Sequence, residues 1–207
     1  MMMKSPLALA AVLVCALAFS TACQGDEVKI DRSPLPMVAA PPYICGHIPL
    51  KIVELMTGVR DPLVRGYFNL KLAGGLGAGS CAAYRRDGDR LKVLQVILTP
   101  GGYPGKVEEQ LEDGALSVPE IVPGAIGYYF KDTTSKSNAT YAMLVRGKAQ
   151  IGIQLEIGAE GRDNAADVLA LMKLIAPKLI TDASAPSPSP STTAPPGKTP
   201  SPSPKKG

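Results

Sequence analysis

Between Pro41 and Thr181 the spacing of apolar residues switches repeatedly between a helical period and a strand period. Ile52, Val53, Leu55 and Met56 share one side of a helix predicted from about Pro49 to Thr57. Pro49 suits its first turn, where a missing N–H costs nothing, and Gly58 supplies the stop. From Val64 to Leu72 the period becomes two: Val64, Phe68, Leu70 and Leu72 alternate with Arg65, Tyr67, Asn69 and Lys71, as in a half-buried strand. The glycine-rich run from Gly74 to Gly79 turns the chain, and Ser80 to Arg86 resumes as a strand carrying Cys81. Asp87-Gly88-Asp89 is turn chemistry. Leu91 to Thr99 is apolar on both faces, which predicts a central strand covered on both sides.

Pro100-Gly101-Gly102 breaks that run. Lys106 to Asp113 reads as a charged helix with Val107 and Leu111 facing inward and Gly114 as its cap, followed by a loop from Ser117 to Gly127. Tyr128-Tyr129-Phe130 opens another strand, and Thr133 to Asn138 turns it. Thr140 to Arg146 and Ala149 to Ile157 form a hairpin about Gly147-Lys148. Asp163 or Asn164 caps a last helix whose apolar side is Val168, Leu169, Leu171, Met172, Leu174 and Ile175, and Pro177 ends or kinks it. The order is helix, three strands, helix, three strands, helix. Hairpin connections make the sheet of about six strands mainly antiparallel, and the apolar surroundings of Val93 and Val96 call for helices over it. The expected fold class is α+β, a layered sandwich, with no sequence repeat between its halves.

The flanks follow different rules. Lys4, the apolar run Leu7 to Phe19 and the small residues Ser20-Thr21-Ala22 make Met1 to Ala22 a secretory leader in layout. Cys23 then admits two outcomes: acylation as a lipoprotein N-terminus, or ordinary cleavage at a small-x-small site, since Ser20 stands where lipoproteins usually carry leucine. Residues 23–40 read as a flexible, lipid-anchored stem, 41–181 as one domain, and 182–207 as a Pro/Ser/Thr-rich tail with too little to bury to offset its ordering entropy. The resulting location is the extracytoplasmic face of the cell membrane, or secretion if Cys23 is not acylated.

The net charge of +4 owes much to Lys4, Lys198, Lys205 and Lys206. Residues 33–181 carry 16 Lys and Arg against 14 Asp and Glu, and Arg85, Arg86, Arg90 and Lys92 are interleaved with Asp87 and Asp89. No concentrated basic face emerges, so a nucleic-acid partner is not expected. Cysteine parity is more informative. Cys15 leaves with the leader, and acylation of Cys23 leaves Cys45 and Cys81, 36 positions apart, as a pair. In an exported domain their disulfide is the favoured state, stabilising the fold by roughly 3–4 kcal/mol.

Chemistry is harder to find. His47 has no partners for a zinc site and reads as a cap or surface residue just ahead of a helix. Gly77-x-Gly79-x-x-Ala82 matches a dinucleotide fingerprint by letter, but a strand rather than a helix follows it. Ser80 lacks the glycines of a nucleophile elbow. Glu108, Glu109, Glu112 and Asp113 are spaced as a solvated helix face, and Asn138-Ala139-Thr140, a glycosylation sequon by pattern, reads as a turn. No catalytic residue, metal site or cofactor is expected.

Pro41-Pro42-x-x-Cys45, the short helix, Cys81 in a strand leading to a hairpin, Val122-Pro123-Gly124-Ala125-Ile126-Gly127 and Arg146-Gly147 before the last strand resemble the actinobacterial lipoprotein family filed as domain of unknown function 3558. The resemblance covers about Pro41 to Thr181 and implies a non-enzymatic envelope protein akin to ligand-sensing or accessory lipoproteins. The function expected from the whole chain is therefore an extracytoplasmic binding or accessory module. Its membrane link is the lipid at Cys23, and its partner is a small apolar ligand or an envelope protein, with Tyr67, Tyr84, Tyr128 and Tyr129 as candidate lining. The alternatives are a structural envelope spacer and an envelope hydrolase whose residues meet only in the fold.

Overall fold

The computed structural model describes residues 31–131 and 138–185. The expected leader, Cys23 and the residues beyond Ala185 lie outside the described residues, as does most of the expected turn at Thr133 to Asn138.

The chain forms the α+β sandwich that its periodicity predicts. A two-residue hairpin, β1 (Tyr43–Ile44) with β2 (Ile48–Pro49), leads directly into α1 (Leu50–Thr57). The main sheet has seven strands: β3 (Leu63–Asn69), β4 (Ala78–Tyr84), β5 (Lys92–Pro100), β6 (Leu116–Ser117), β7 (Ile126–Lys131), β8 (Thr140–Arg146) and β9 (Ala149–Leu155). Two further helices are α2 (Pro104–Glu112), between β5 and β6, and α3 (Asn164–Leu179), after β9. The spatial order is β3-β4-β5-β9-β8-β7-β6, and every neighbouring pair is antiparallel. A three-strand meander, β3-β4-β5, and a four-strand one, β6-β7-β8-β9, are thus joined where β5 pairs with β9.

The register explains the layers. Cys81 faces Val96, Val96 faces Ile153, and Ile153 faces Ala142 across four strands; Leu98, Ile151 and Leu144 form the next row. These residues share one face of the sheet and are buried with Ile52, Val53 and Met56 of α1 and with Val168, Leu171, Met172, Ile175 and Leu179 of α3. Leucine, isoleucine and valine dominate this core, which holds no tryptophan.

Local chemistry fixes the ends of the helices. Gly58 takes a left-handed conformation (φ 70°) and donates to the Glu54 carbonyl, closing α1. Asp163 caps α3: its carboxylate accepts from the Ala166 N–H at 3.1 Å. That bond, aided by Lys131 at 3.4 Å, holds the Asp163 carboxyl below the ordinary aspartate value against the opposing effect of partial burial. One turn on, Asp167 is buried and forms a two-pronged pair with Arg162, at 2.6 Å to Nε and 2.8 Å to Nη2. Pro177 does not end the helix, which runs two residues further to Leu179. Its last-turn position limits the loss to hydrogen bonding near the C-terminus.

Cys45 and Cys81 are joined, with their Cα atoms 6.0 Å apart. The bridge ties the β1–β2 hairpin to β4. Gly66 stands opposite Cys81 in the β3–β4 register with φ +107°, and a Cβ added there would collide with the Ser80 carbonyl oxygen. Only glycine lets the two strands close at that point.

The structure adds to the expected boundaries. Leu35 is 6% exposed and belongs to the core, so part of the stem expected over 23–40 is packed onto the domain. At the other end Ser184 is buried after a short 3-10 turn, Asp182–Ser184. Leu116–Ser117 pairs with Tyr128 and Tyr129 as an edge strand in what reads by sequence as a turn and loop. Strands this short lack enough residues to display a period.

Candidate functional site

The second face of the sheet is covered over only half its width. α2 lies across β7 and β8, where Val107 and Ala115 pack on Tyr128, Met143 and Val145. The apolar run of β5 predicted helices on both sides, yet on the second face α2 packs chiefly on β7 and β8. Ile97, in the middle of β5, is 36% exposed there.

The register assembles this open surface in two rows. Tyr67, Ser80, Ile97 and Gly152 run side by side from β3 to β9. Arg65, Ala82, Gln95 and Gln154 form the adjacent row, which continues to Tyr141 on β8 and Phe130 on β7. Ser80, Ala82 and Gly152 are small, and in the middle of the surface Ala82 and Gly152 are buried among their larger neighbours, Gly152 beside the Tyr141 ring. Taller side chains rise around it: Tyr67 is 70% exposed, and the Arg65 guanidinium lies 5.5 Å from the centre of the Tyr84 ring. At the covered margin Tyr128 meets Phe130 edge-on at 5.5 Å and Tyr141 at 6.0 Å.

The four candidate tyrosines therefore divide. Tyr67 and Tyr84 belong to the open surface. Tyr128 shares the same face but is buried beneath α2. Tyr129, one residue along, points to the other face, where it packs half-buried against the main core. Period-two alternation requires this split between neighbours. Ile97, Gln95 and Gln154 carry the middle of the surface and were not among the candidates. Their signal was present only as the polar interruptions Gln95 and Gln154 in otherwise apolar strands.

Burial pushes the hydroxyls of Tyr128 and Tyr141 above the ordinary tyrosine value. A hydrogen bond between them keeps the proton on Tyr141 and partly offsets the rise at Tyr128. Both groups are neutral in the folded state, and their contribution to stability is complete below the unfolded value of about 10. It is lost as pH rises from there through the folded values, because the unfolded chain ionises first. Titration followed by tyrosinate absorbance is expected to show two late-ionising tyrosines. Tyr141→Phe should remove one of them and flatten the loss of stability above pH ~10.

The remaining candidates stay apart. His47 meets Phe68 edge-on at 5.9 Å, on the side of the sheet away from Ser80. Burial first and Lys178 second hold its imidazole below the ordinary histidine value. Gly77 and Gly79 lead into β4 rather than a helix, so no helix N-terminus faces them. Glu108, Glu109, Glu112 and Asp113 are all exposed along α2. Arg86 bonds to the Asp61 carbonyl at 2.7 Å and pairs with its carboxylate. At the start of α3 a polar cleft of about 450 Å³ is lined by Lys131, Asn138, Thr140 and Asp163, with the Asp163 carboxylate engaged as the helix cap. Among the described residues no three His, Cys, Asp or Glu side chains group as metal ligands. No helix among them is long and apolar enough to cross a membrane.

No family model, curated protein or solved structure matches this chain.

Proposed function

We propose that the chain is an exported lipoprotein, acylated at Cys23, whose domain is a non-enzymatic binding module that meets an envelope protein on the open half of the sheet. The half-covered second face carries this reading. It presents Tyr67, Tyr84 and Ile97 beside amides and one guanidinium, a composition suited to recognition by contact and hydrogen bonding. Its openness favours a protein surface over a small molecule, which is held in an enclosed cleft. The rigid support supplied by the disulfide and the sheet reduces the ordering cost of association.

Two measurements test it. Intact mass of the protein purified from its native membrane should show a chain that begins at Cys23, carries added acyl mass and has one disulfide. An unmodified chain that begins elsewhere removes the anchor. For the binding surface, Tyr67→Ala combined with Ile97→Ser is expected to weaken partner capture at least about tenfold. Both side chains are exposed, so the melting temperature should move by no more than a few degrees. Capture that is unchanged by the double substitution locates binding elsewhere. A lipid or small molecule that co-purifies with the wild type and is lost from the variant replaces the protein partner with a small ligand.

A further inference from the structure

We infer that the opposite side of the domain, formed by the outer face of α3 and the packed residues Pro34 to Val38, rests on an anionic lipid bilayer. This rests on the anchoring at Cys23 proposed above and adds the orientation of the domain.

Met37 and Val38 are 90% and 77% exposed, the two most exposed large apolar side chains among the described residues. They are held in place on both sides: Leu35 is buried in the core, and the Tyr43 hydroxyl donates to the Ala39 carbonyl at 3.0 Å. A fixed pair of exposed apolar side chains has a standing cost in water and a natural place in the interfacial layer of a membrane. Beside them a groove of about 300 Å³ runs between Pro34–Met37 and α3, floored by Ala166, Ala170 and Leu174.

The charges around this apolar strip have one sign on α3. Lys173 lines the groove and Lys178 lies five residues on, its ammonium 5.0 Å from the Tyr43 ring centre. The acid that α3 carries, Asp167, also lines the groove, but its side chain is 7% exposed and its charge is met by Arg162. On neighbouring α1, Lys51 is exposed, while the Glu54 carboxylate accepts from the Asp61 N–H at 3.2 Å. Lysines flanking exposed apolar side chains complement anionic headgroups, with the stems in the interface and the ammonium groups at phosphate level.

The length of the tether selects the same side. Cys23 and Arg32 are nine positions apart. Fully extended, that segment reaches about 30 Å, so residue 32 stays near the bilayer in any conformation. With the acyl chains holding the domain at the surface, a contact too weak to recruit it from solution is enough to orient it. In that orientation α1 and α3 lie toward the lipid, and the open sheet face, on the far side of the sheet, points into the envelope.

The test uses the acylated protein, its Cys23 modification verified by intact mass, reconstituted in vesicles of phosphatidylcholine mixed with phosphatidylglycerol. An environment-sensitive fluorophore is attached through Val38→Cys in one sample and Ile97→Cys in another, and brominated lipids serve as quenchers. Quenching is expected to be several-fold stronger at position 38 than at 97. It should fall toward the level at 97 when Lys173→Glu and Lys178→Glu are combined, or when phosphatidylglycerol is omitted. Because all the altered side chains are exposed, an unchanged melting temperature shows that folding is intact. Equal quenching at 38 and 97 in acylated protein overturns the orientation while leaving the anchor standing. Quenching at 38 that is indifferent to both the lysine changes and the lipid charge overturns the anionic-surface assignment. An unmodified Cys23 overturns the anchoring reading and this inference with it.

Discussion

Replacing Cys45 and Cys81 together by alanine is expected to lower the stability of the domain by about 4 kcal/mol. The bridge spans 36 positions, and in the unfolded chain that closed loop loses conformational freedom that the open chain retains. The loop contains β2, α1 and β3, so the penalty falls on the elements that close one end of the core. For a domain of this size the midpoint of thermal unfolding should drop by roughly 10 °C or more. Thermal unfolding of the wild type with and without reductant checks the same quantity without a substitution. A midpoint that shifts by less than about 2 °C in both experiments would mean the pairing restrains little in the unfolded chain.

Asp167→Ala is expected to cost about 3 kcal/mol, more than any other single change in α3 outside its apolar side. The Arg162 and Asp167 side chains are 3% and 7% exposed, so the substitution leaves a buried guanidinium without its carboxylate. Asp163→Ala, which removes the helix cap and an exposed pair with Lys131, should cost about 1 kcal/mol. The ratio matters more than either value, because both residues are aspartates in the first turn or cap of the same helix. Equal losses for Asp163→Ala and Asp167→Ala in chemical denaturation would show that the pair contributes only as a helix-end charge.

Much of the fold was legible because the sequence keeps its periods clean. The apolar side of α3, the alternation from Val64 to Phe68 and the hairpin at Gly147-Lys148 each correspond to an observed element within a few residues. The disulfide was legible from cysteine parity and the expectation of export. The tertiary arrangement of the second face was not. Ile97 sits in a run of apolar residues, and such a run predicts cover on both sides; whether α2 lies over β5 or over β7 and β8 depends on packing that no local pattern encodes. Tyr128 and Tyr129 show the same limit. Their alternation places them on opposite faces, but only Val107, Ala115 and Met143 decide that the face of Tyr128 is closed. The burial of Leu35 was not legible, because a lone leucine in a proline-rich stretch has no period and its cover comes from α3 beside it.

The central claim, that the open half of the sheet is the working surface, is tested most directly in the native envelope. A photo-reactive amino acid is placed at Ile97 on the open surface and, separately, at Glu109 on the exposed side of α2. The account predicts one defined protein adduct from position 97, absent from position 109 and suppressed by Tyr67→Ala. The same adducts from both positions, or none from 97, would contradict it.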